Sequence, residues 1–389
     1  MREPFEHDTA ISGIGISQVG RRLGRDPLLL TGEATLAAIA DAGLTPDDID
    51  GVSTYPGGGH RTPGMSGAGV SDIVGLLGLT PRWHTGGEEL ASQLGGVVNA
   101  AMAVATGLAN HVLCFRSVWE STAQMDTGRA GAMVASAKAG GSAGGYQAMT
   151  LPYGAGYACT GALFAQRYFY ETGTTREQLA QIALVARANA AGNPHAVYRD
   201  PLTMDDYLSA RMISSPLCIY DCDPPVDGAI AVIVSRRDSI VSGARAVQIE
   251  AVGSALSMRD NAEMMWSRTS LTPADVDVAQ LYDGWSILAL QWLEALGLCP
   301  PGEGGRFVEG GNRVALDGEL PLNTGGGHLS GGRLHGYIQL YEACVQLRGQ
   351  GGTRQVDPRP KVAVVSAGAA SFTGCLLLSA PHEARSSVT

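Results

Sequence analysis

The feature that most narrows the possible folds is a fifteen-residue stretch, Asn323-Thr-Gly-Gly-Gly-His-Leu-Ser-Gly-Gly-Arg-Leu-His-Gly-Tyr337, which runs into an apolar-faced segment from Ile338 to Leu347. Leu340, Ala343, Cys344 and Leu347 recur at helical spacing, so that segment reads as a helix. Six glycines in the stretch cost backbone entropy on folding, which marks turns or a close approach to a ligand. A flexible surface loop is the plain alternative. Two histidines and a tyrosine among the glycines favour an active-site loop instead. At a helix N-terminus, free N–H groups can face an anion or a developing oxyanion, and Gly326, Gly327 and Gly336 are the backbone positions expected to meet a substrate.

Around this loop the chain alternates strands and helices. Thr9–Val19 alternates apolar with small residues, Leu28–Leu44 has helical periodicity, and Gly51–Tyr55 is a second strand. Strand, helix, strand in that order implies a parallel pair with a crossover. Glu88–Gly107 reads as one long Ala-rich helix, apolar nearly all round and therefore buried. The strand His111-Val-Leu-Cys-Phe115 follows. Residues 120–154 form the longest irregular stretch, and loops of that length in compact domains are usually functional, here as a cover over a substrate. Ala158–Tyr170 and Thr175–Ala191 are helical, the second opened by a capping box at Thr174-Thr-Arg-Glu177. Thr272-Pro-Ala-Asp-Val-Asp277 echoes Thr45-Pro-Asp-Asp-Ile-Asp50, each before a short strand, which suggests a duplicated unit restarting near Ala246.

Composition excludes several classes. At 389 residues the chain has room for one large doubled fold, and its net charge of −10 argues against a nucleic-acid partner. Seven cysteines are scattered, odd in number and without a CxxC pair, as reduced core thiols are. No Cys or His spacing suits a metal. The polar start is unlike a signal peptide and no apolar run could cross a membrane, so a cytoplasmic protein is expected.

Asn323-Thr-Gly-Gly-Gly, Ser330-Gly-Gly332 and Gly336, together with Ala38-Ile-Ala-Asp-Ala-Gly-Leu-Thr-Pro-Asp-Asp-Ile-Asp50, resemble motifs of the thiolase superfamily. The passages Asn193–Leu208 and Ile213–Val234 match its link from loop domain to last first-half strand. The branch it looks most like is the sterol-carrier, or nonspecific lipid-transfer, thiolases. The resemblance spans almost the whole chain and implies an α/β thiolase fold: a duplicated, five-layered αβαβα architecture with a loop domain. The first half takes residues 1–235, including the loop domain at about 117–200, and the second takes 245–389.

The chemistry of that family is not kept. Its loop histidine falls on Arg333, its Asn-Glu-Ala-Phe motif on Tyr282-Asp-Gly-Trp285, and its Cys-x-Gly-Gly-Gly on Ser366–Ala370. The nucleophilic cysteine position, counted back from Gly107, falls on Leu90 or Ala91. A covalent acyl-enzyme needs an activated nucleophile, and none stands there. This pattern resembles the steroid side-chain aldolases, which implies retro-aldol cleavage of a bulky β-hydroxyacyl-CoA with release of a short acyl-CoA. Tyr282 and Tyr337 are then the acid and base, if burial beside positive charge lowers their pKa. Arg333, His335 or His328 would supply that charge, and His335 and glycine N–H groups would hold the enolate oxygen at about 3 kcal/mol per donor. Asp283 is expected to orient, or to pair with Arg333, and it and His328 are also expected to face the substrate. The resemblance further implies a homodimer, a small OB-fold and zinc-ribbon acyl-CoA-binding partner, and no cofactor beyond the CoA thioester. Two other readings stay open: a thiolase-like acyltransferase using Cys114 or Ser92, and a non-catalytic lipid-carrier subunit.

Overall fold

Thr45–Asp50 and Thr272–Asp277 fold alike. In each, an Asp carboxylate (Asp48, Asp275) accepts from the backbone N–H of the Thr three residues earlier at 2.8 Å and from its hydroxyl at 2.7 Å, closing a one-turn 3-10 helix. Each turn then launches a short strand. The computed structural model describes residues 4–126 and 156–381, except Gly59 and Arg61, together with Tyr153. Most of the cover expected at 120–154 therefore lies outside the described residues, although Glu120–Ala123 forms a single helical turn.

The strands are β1 (Thr9–Ile16), β2 (Gly51–Thr54), β3 (Trp83–Gly86), β4 (His111–Trp119), β5 (Met212–Ser214), β6 (Leu217–Cys218), β7 (Asp227–Arg236), β8 (Val247–Gly253), β9 (Val278–Gln280), β10 (Val362–Ala369) and β11 (Phe372–Ser379). Nine of them run in the order β3-β2-β4-β7-β1-β8-β11-β10-β9, while β5 and β6 pair apart. The duplication is legible in their directions. β2 is parallel to β4, which is antiparallel to β7, itself antiparallel to β1. The second half repeats this with β9, β10, β11 and β8. The two half-sheets meet at β1 and β8 through the pairs Ala10–Gln248 and Ile11–Val247.

Strands β4 and β7 are buried on both faces, as strands between helix layers must be. Leu113, Phe115, Ala229, Ala231 and Ile233 join the small core under the outer helix Pro27–Asp41, whereas Val112, Cys114, Val118, Ile230, Val232 and Val234 face the central layer. That layer holds the helices Gly95–Ala105 and Tyr337–Leu347, the latter touching β1 and β7 of one half and β9 and β10 of the other. Outer helix, half-sheet, central helices, half-sheet and outer helix (Met258–Trp266) make the five layers. By the two-residue alternation of β4, Arg116 points into the central layer beside Cys114.

Three local expectations are corrected. The helix expected from Glu88 begins at Gly95. A side chain there would lie 2.6 Å from the Leu90 Cβ, because residues before it fold back over the helix start. Leu90 and Ala91 thus sit on that turn and not at the helix N-terminus. The capping box of the helix Arg176–Ala190 is formed by Thr175 and Gln178, one residue later than expected. A five-residue helix, Gly327–Gly331, also lies inside the glycine loop. Among the described residues no helix is long and apolar enough to cross a membrane.

Candidate active site

The loop after β9 and the glycine loop are tied by one side chain. The Asn323 carboxamide accepts from the Leu281 N–H at 2.7 Å and donates to the Leu281 carbonyl at 3.0 Å. Two residues on, the Asp283 carboxylate accepts from the N–H of His328 at 2.8 Å and from the Gln339 amide at 3.0 Å. A Cβ on Gly327 would stand 2.1 Å from that carboxylate, so only glycine fits. The His328 ring completes the clamp. Its Nε2 accepts the Gly336 N–H at 3.1 Å, which places its proton on Nδ1, donated to Asp283 at 3.1 Å. The Tyr282 ring packs edge-on against this imidazole, centroids 4.7 Å apart. His328, Asp283 and Gly336, expected to face a substrate, therefore bond to one another and hold the loop's shape. The Gly326 N–H likewise closes a turn onto the Asn323 carbonyl at 2.8 Å. The Asp283 carboxylate is paired with His328.

Arg333 pairs with neither Asp283 nor an open solvent face. Its Nη1 donates to both oxygens of Glu120 at 3.0 Å, and its Nε lies 3.3 Å from Asp223. All three side chains are buried. Burial opposes its charge, yet Glu120 and Asp223 outweigh that and hold the guanidinium pKa above its ordinary value. Arg333 lines a small chamber of about 60 Å³ with Tyr282, Gln93, Tyr157, Trp285 and Phe372. The Gln93 amide donates toward the Tyr282 hydroxyl at 3.4 Å, while its Oε1 is buried without a hydrogen-bond partner among the described residues. Tyr157, Trp285 and Asp223 also belong to the wall of a neighbouring cavity of about 750 Å³, within the range of small-molecule sites. Ile213, Ile219 and Leu329 give it apolar lining, and Arg21, Arg187 and Arg211 give it positive charge.

Tyr337 takes a different position. Its ring is fully buried, its hydroxyl would be 3.6 Å from a side chain on Gly96 of the other central helix, and that hydroxyl has no hydrogen-bond partner among the described residues. The phenol pKa is not lowered as expected. Burial pushes it well up, Cys114 adds to this and Arg116 only partly opposes. At neutral pH Tyr337 is thus a proton donor. Arg116, fully buried, donates to the Ser117 carbonyl at 2.6 Å and to His335 Nδ1 at 2.9 Å, and lies over the Tyr55 ring. The structure thus forms two adjoining groups: Tyr282 with Arg333 and Gln93, and Tyr337 with Arg116 and His335.

The alternative nucleophiles gain no support. Cys114 is buried in β4 and burial raises its thiol pKa, the opposite of an activated thiolate. Ser92 has φ of +59° and its hydroxyl accepts from the Leu94 N–H at 3.2 Å. Of the five non-glycine residues with positive φ among those described, Ser92, Asn323, His335 and Ala370 stand on the loops of this region, where strain tends to collect. Sequence reasoning missed Gln93, Arg116, Glu120, Tyr157 and Asp223. Arg116 left a signal, a lone charge directly after the apolar run Val112–Phe115. Gln93 and Asp223 left none, being ordinary polar residues until the loops converge.

Comparison with known proteins bears on this site. Residues 240–379 match the thiolase C-terminal domain-like family. The chain is 34% identical to a steroid side-chain-cleaving aldolase of Thermomonospora curvata, over 95% of this chain and 97% of that one. It is 33% identical to the 17-hydroxy-3-oxo-4-pregnene-20-carboxyl-CoA lyase of Mycobacterium tuberculosis, over 87% and 91%. The solved structure of an Ltp2–ChsH2(DUF35) aldolase superimposes with a TM-score of 0.83 at 31% identity, covering 97% of this chain and 99% of that one. Human mitochondrial 3-ketoacyl-CoA thiolase shares the fold, with a TM-score of 0.66 at 16% identity over 98% of this chain and all of that one. The two half-sheets, the clamped glycine loop and a chamber walled by phenol and guanidinium instead of thiol and imidazole agree with where these relatives fall: the chain belongs to the thiolase superfamily, among the steroid side-chain-cleaving aldolases.

Proposed function

We propose that this chain is a carbon–carbon lyase that cleaves a bulky β-hydroxyacyl-CoA, a steroid side chain, by a retro-aldol reaction and releases a short acyl-CoA such as propionyl-CoA. The observation that carries this reading is the chamber wall. Tyr282, Gln93 and Arg333 face the chamber, and its described lining holds no cysteine. A base takes the β-hydroxyl proton, the Cα–Cβ bond breaks as that oxygen becomes a ketone, and the electron pair passes to the thioester as an enolate. Protonation of Cα completes the acyl-CoA, so one proton leaves oxygen, one reaches carbon, and no oxidant is consumed.

In this reading Tyr282 receives the hydroxyl proton, because the adjacent Arg333 cation stabilises negative charge on a phenol oxygen. Tyr337, held neutral, supplies the proton to carbon, a role typically worth ~10²- to 10⁴-fold. His335 donates to the enolate oxygen. The large cavity takes the rest of the thioester, its arginines suiting CoA phosphates and its apolar wall the acyl chain. A homodimer is supported by β3, a sheet edge with alternate exposed residues beside exposed Met102 and Leu108, an edge that a second copy can cover. A partner protein is supported by the solved Ltp2–ChsH2(DUF35) aldolase, which has two components, and in this reading the partner is a small OB-fold and zinc-ribbon acyl-CoA-binding protein. Seven free thiols support a reducing, cytoplasmic setting.

The test is incubation of the chain, alone and with such a partner, with a steroid β-hydroxyacyl-CoA, followed by mass spectrometry. Ketone and short acyl-CoA in equal amounts are expected. A covalent acyl adduct without ketone would make it an acyltransferase, and bound, unchanged ligand would make it a carrier.

A further inference from the structure

Arg116 is an unusual residue to find inside a strand. It has no measurable exposure, and burial brings its pKa down to about 10, so it is still charged at neutral pH. Among the described residues no carboxylate pairs with it. Its recorded hydrogen bonds run to the Ser117 carbonyl and to the Nδ1 of His335, and its Nε has no partner there. A buried cation is costly unless the protein uses it.

The bond to His335 has only one chemically consistent form. A guanidinium has five N–H donors and no acceptor. A nitrogen lying 2.9 Å from it must present a lone pair. Nδ1 of His335 is therefore unprotonated, and a neutral imidazole that lacks the proton on Nδ1 carries it on Nε2. The doubly protonated ring would set an N–H against a guanidinium N–H inside the protein. Other groups around Arg116 are Tyr55 from the end of β2, Glu120 from the turn after β4, and Arg333 and Tyr337 from either side of His335. Of these, Glu120 is already committed to Arg333. His335 itself is held at φ +47°, two residues before the central helix begins.

We propose that Arg116 is a positioning residue that locks His335 as the neutral Nε2–H tautomer, so that the imidazole meets the thioester enolate as an uncharged hydrogen-bond donor and never as a competing proton source. The consequence for catalysis rests on the lyase reading above, whereas the tautomer itself does not. An uncharged donor stabilises the enolate oxygen without protonating it, which leaves delivery of the proton to carbon to another group.

The experiment uses the full chain labelled with ¹⁵N in its histidine rings, with His335→Gln identifying the signal of His335 among the eight histidines. In the parent, Nδ1 of His335 should show as unprotonated and Nε2 as protonated throughout pH 6 to 8. Arg116→Met should release the ring into a mixture of the two neutral tautomers. Arg116→Lys, which keeps a cationic donor, should restore the single tautomer. In the cleavage assay Arg116→Met should fall about 100-fold and Arg116→Lys should recover part of it. A proton on Nδ1 in the parent would overturn the proposal even if no Arg116 variant folds, and so would an unchanged tautomer in a folded Arg116→Met. The spectrum needs no substrate. A locked tautomer in a chain that cleaves nothing would refute the lyase reading and leave this one standing.

Discussion

Replacing Arg333 by Met should separate what that residue holds from what it does. Its guanidinium lies 3.0 Å from both Glu120 oxygens and 3.3 Å from Asp223, with side-chain exposures of 8%, 1% and 2%. Removing the cation leaves two carboxylates buried together, and breaking a buried pair in this way typically costs about 3–5 kcal/mol. Against total stabilities of about 5–15 kcal/mol, urea unfolding should show a large drop in midpoint with little change in slope. Adding Glu120→Gln neutralises one orphaned group and should return roughly 1–3 kcal/mol. Cleavage should stay lost in both variants, because Tyr282 no longer has its cation. Arg333→Met as stable as the parent would refute the ion-pair account, as would a double variant no more stable than the single. A double variant that regained cleavage would remove Arg333 from the chemistry.

Other outcomes follow from the same geometry. Tyr337→Phe removes a hydroxyl with no recorded partner, so unfolding should move by under about 1 kcal/mol while cleavage falls at least ~100-fold. Gln93→Leu should leave the fold intact and lower kcat for the hydroxyacyl thioester, with binding of an analogue lacking the β-hydroxyl unchanged; equal loss for both ligands would make Gln93 a mere wall. Cys114 is fully buried with its thiol pKa raised. Its neutral form therefore supports the fold below the ordinary thiol value of 9.0, and that support fades only as pH rises through the higher folded value. Iodoacetamide at pH 8 should consequently label the half-buried Cys159 and Cys222 first, and labelling of Cys114 in the native protein would contradict this. Gly161→Ala would set a methyl 2.4 Å from the Trp285 ring, so Trp285 must shift within the wall between the two cavities. KM for a bulky thioester should change more than KM for a short one.

Much of the scaffold could be read from the chain because its signals are local. The Thr-Pro-x-Asp-[Ile/Val]-Asp repeats close by bonds within four residues, and Tyr337–Leu347 carries its periodicity in its own side chains. The helix start at Gly95 was misplaced for the opposite reason. Glu88–Leu94 has helix-compatible composition, and only the packing of Leu90 against Gly95 turns it aside. At the site, Tyr282, Arg333, His335 and Tyr337 could be picked out because they stand on two recognisable loops. Their partners could not. Glu120 and Asp223 reach Arg333 from positions more than a hundred residues away along the chain, and His328 differs from His335 only in which atoms its nitrogens meet.

The network described here straddles the seam of the duplication. Arg116 and Glu120 belong to one copy, while His335 and Arg333, which they hold, belong to the other. Neither copy holds both ends of these bonds, so the candidate site exists only where the two meet. Hybrid proteins built by exchanging one half with a relative should accordingly fold as sheets yet fail as enzymes, unless both ends of each such bond travel together.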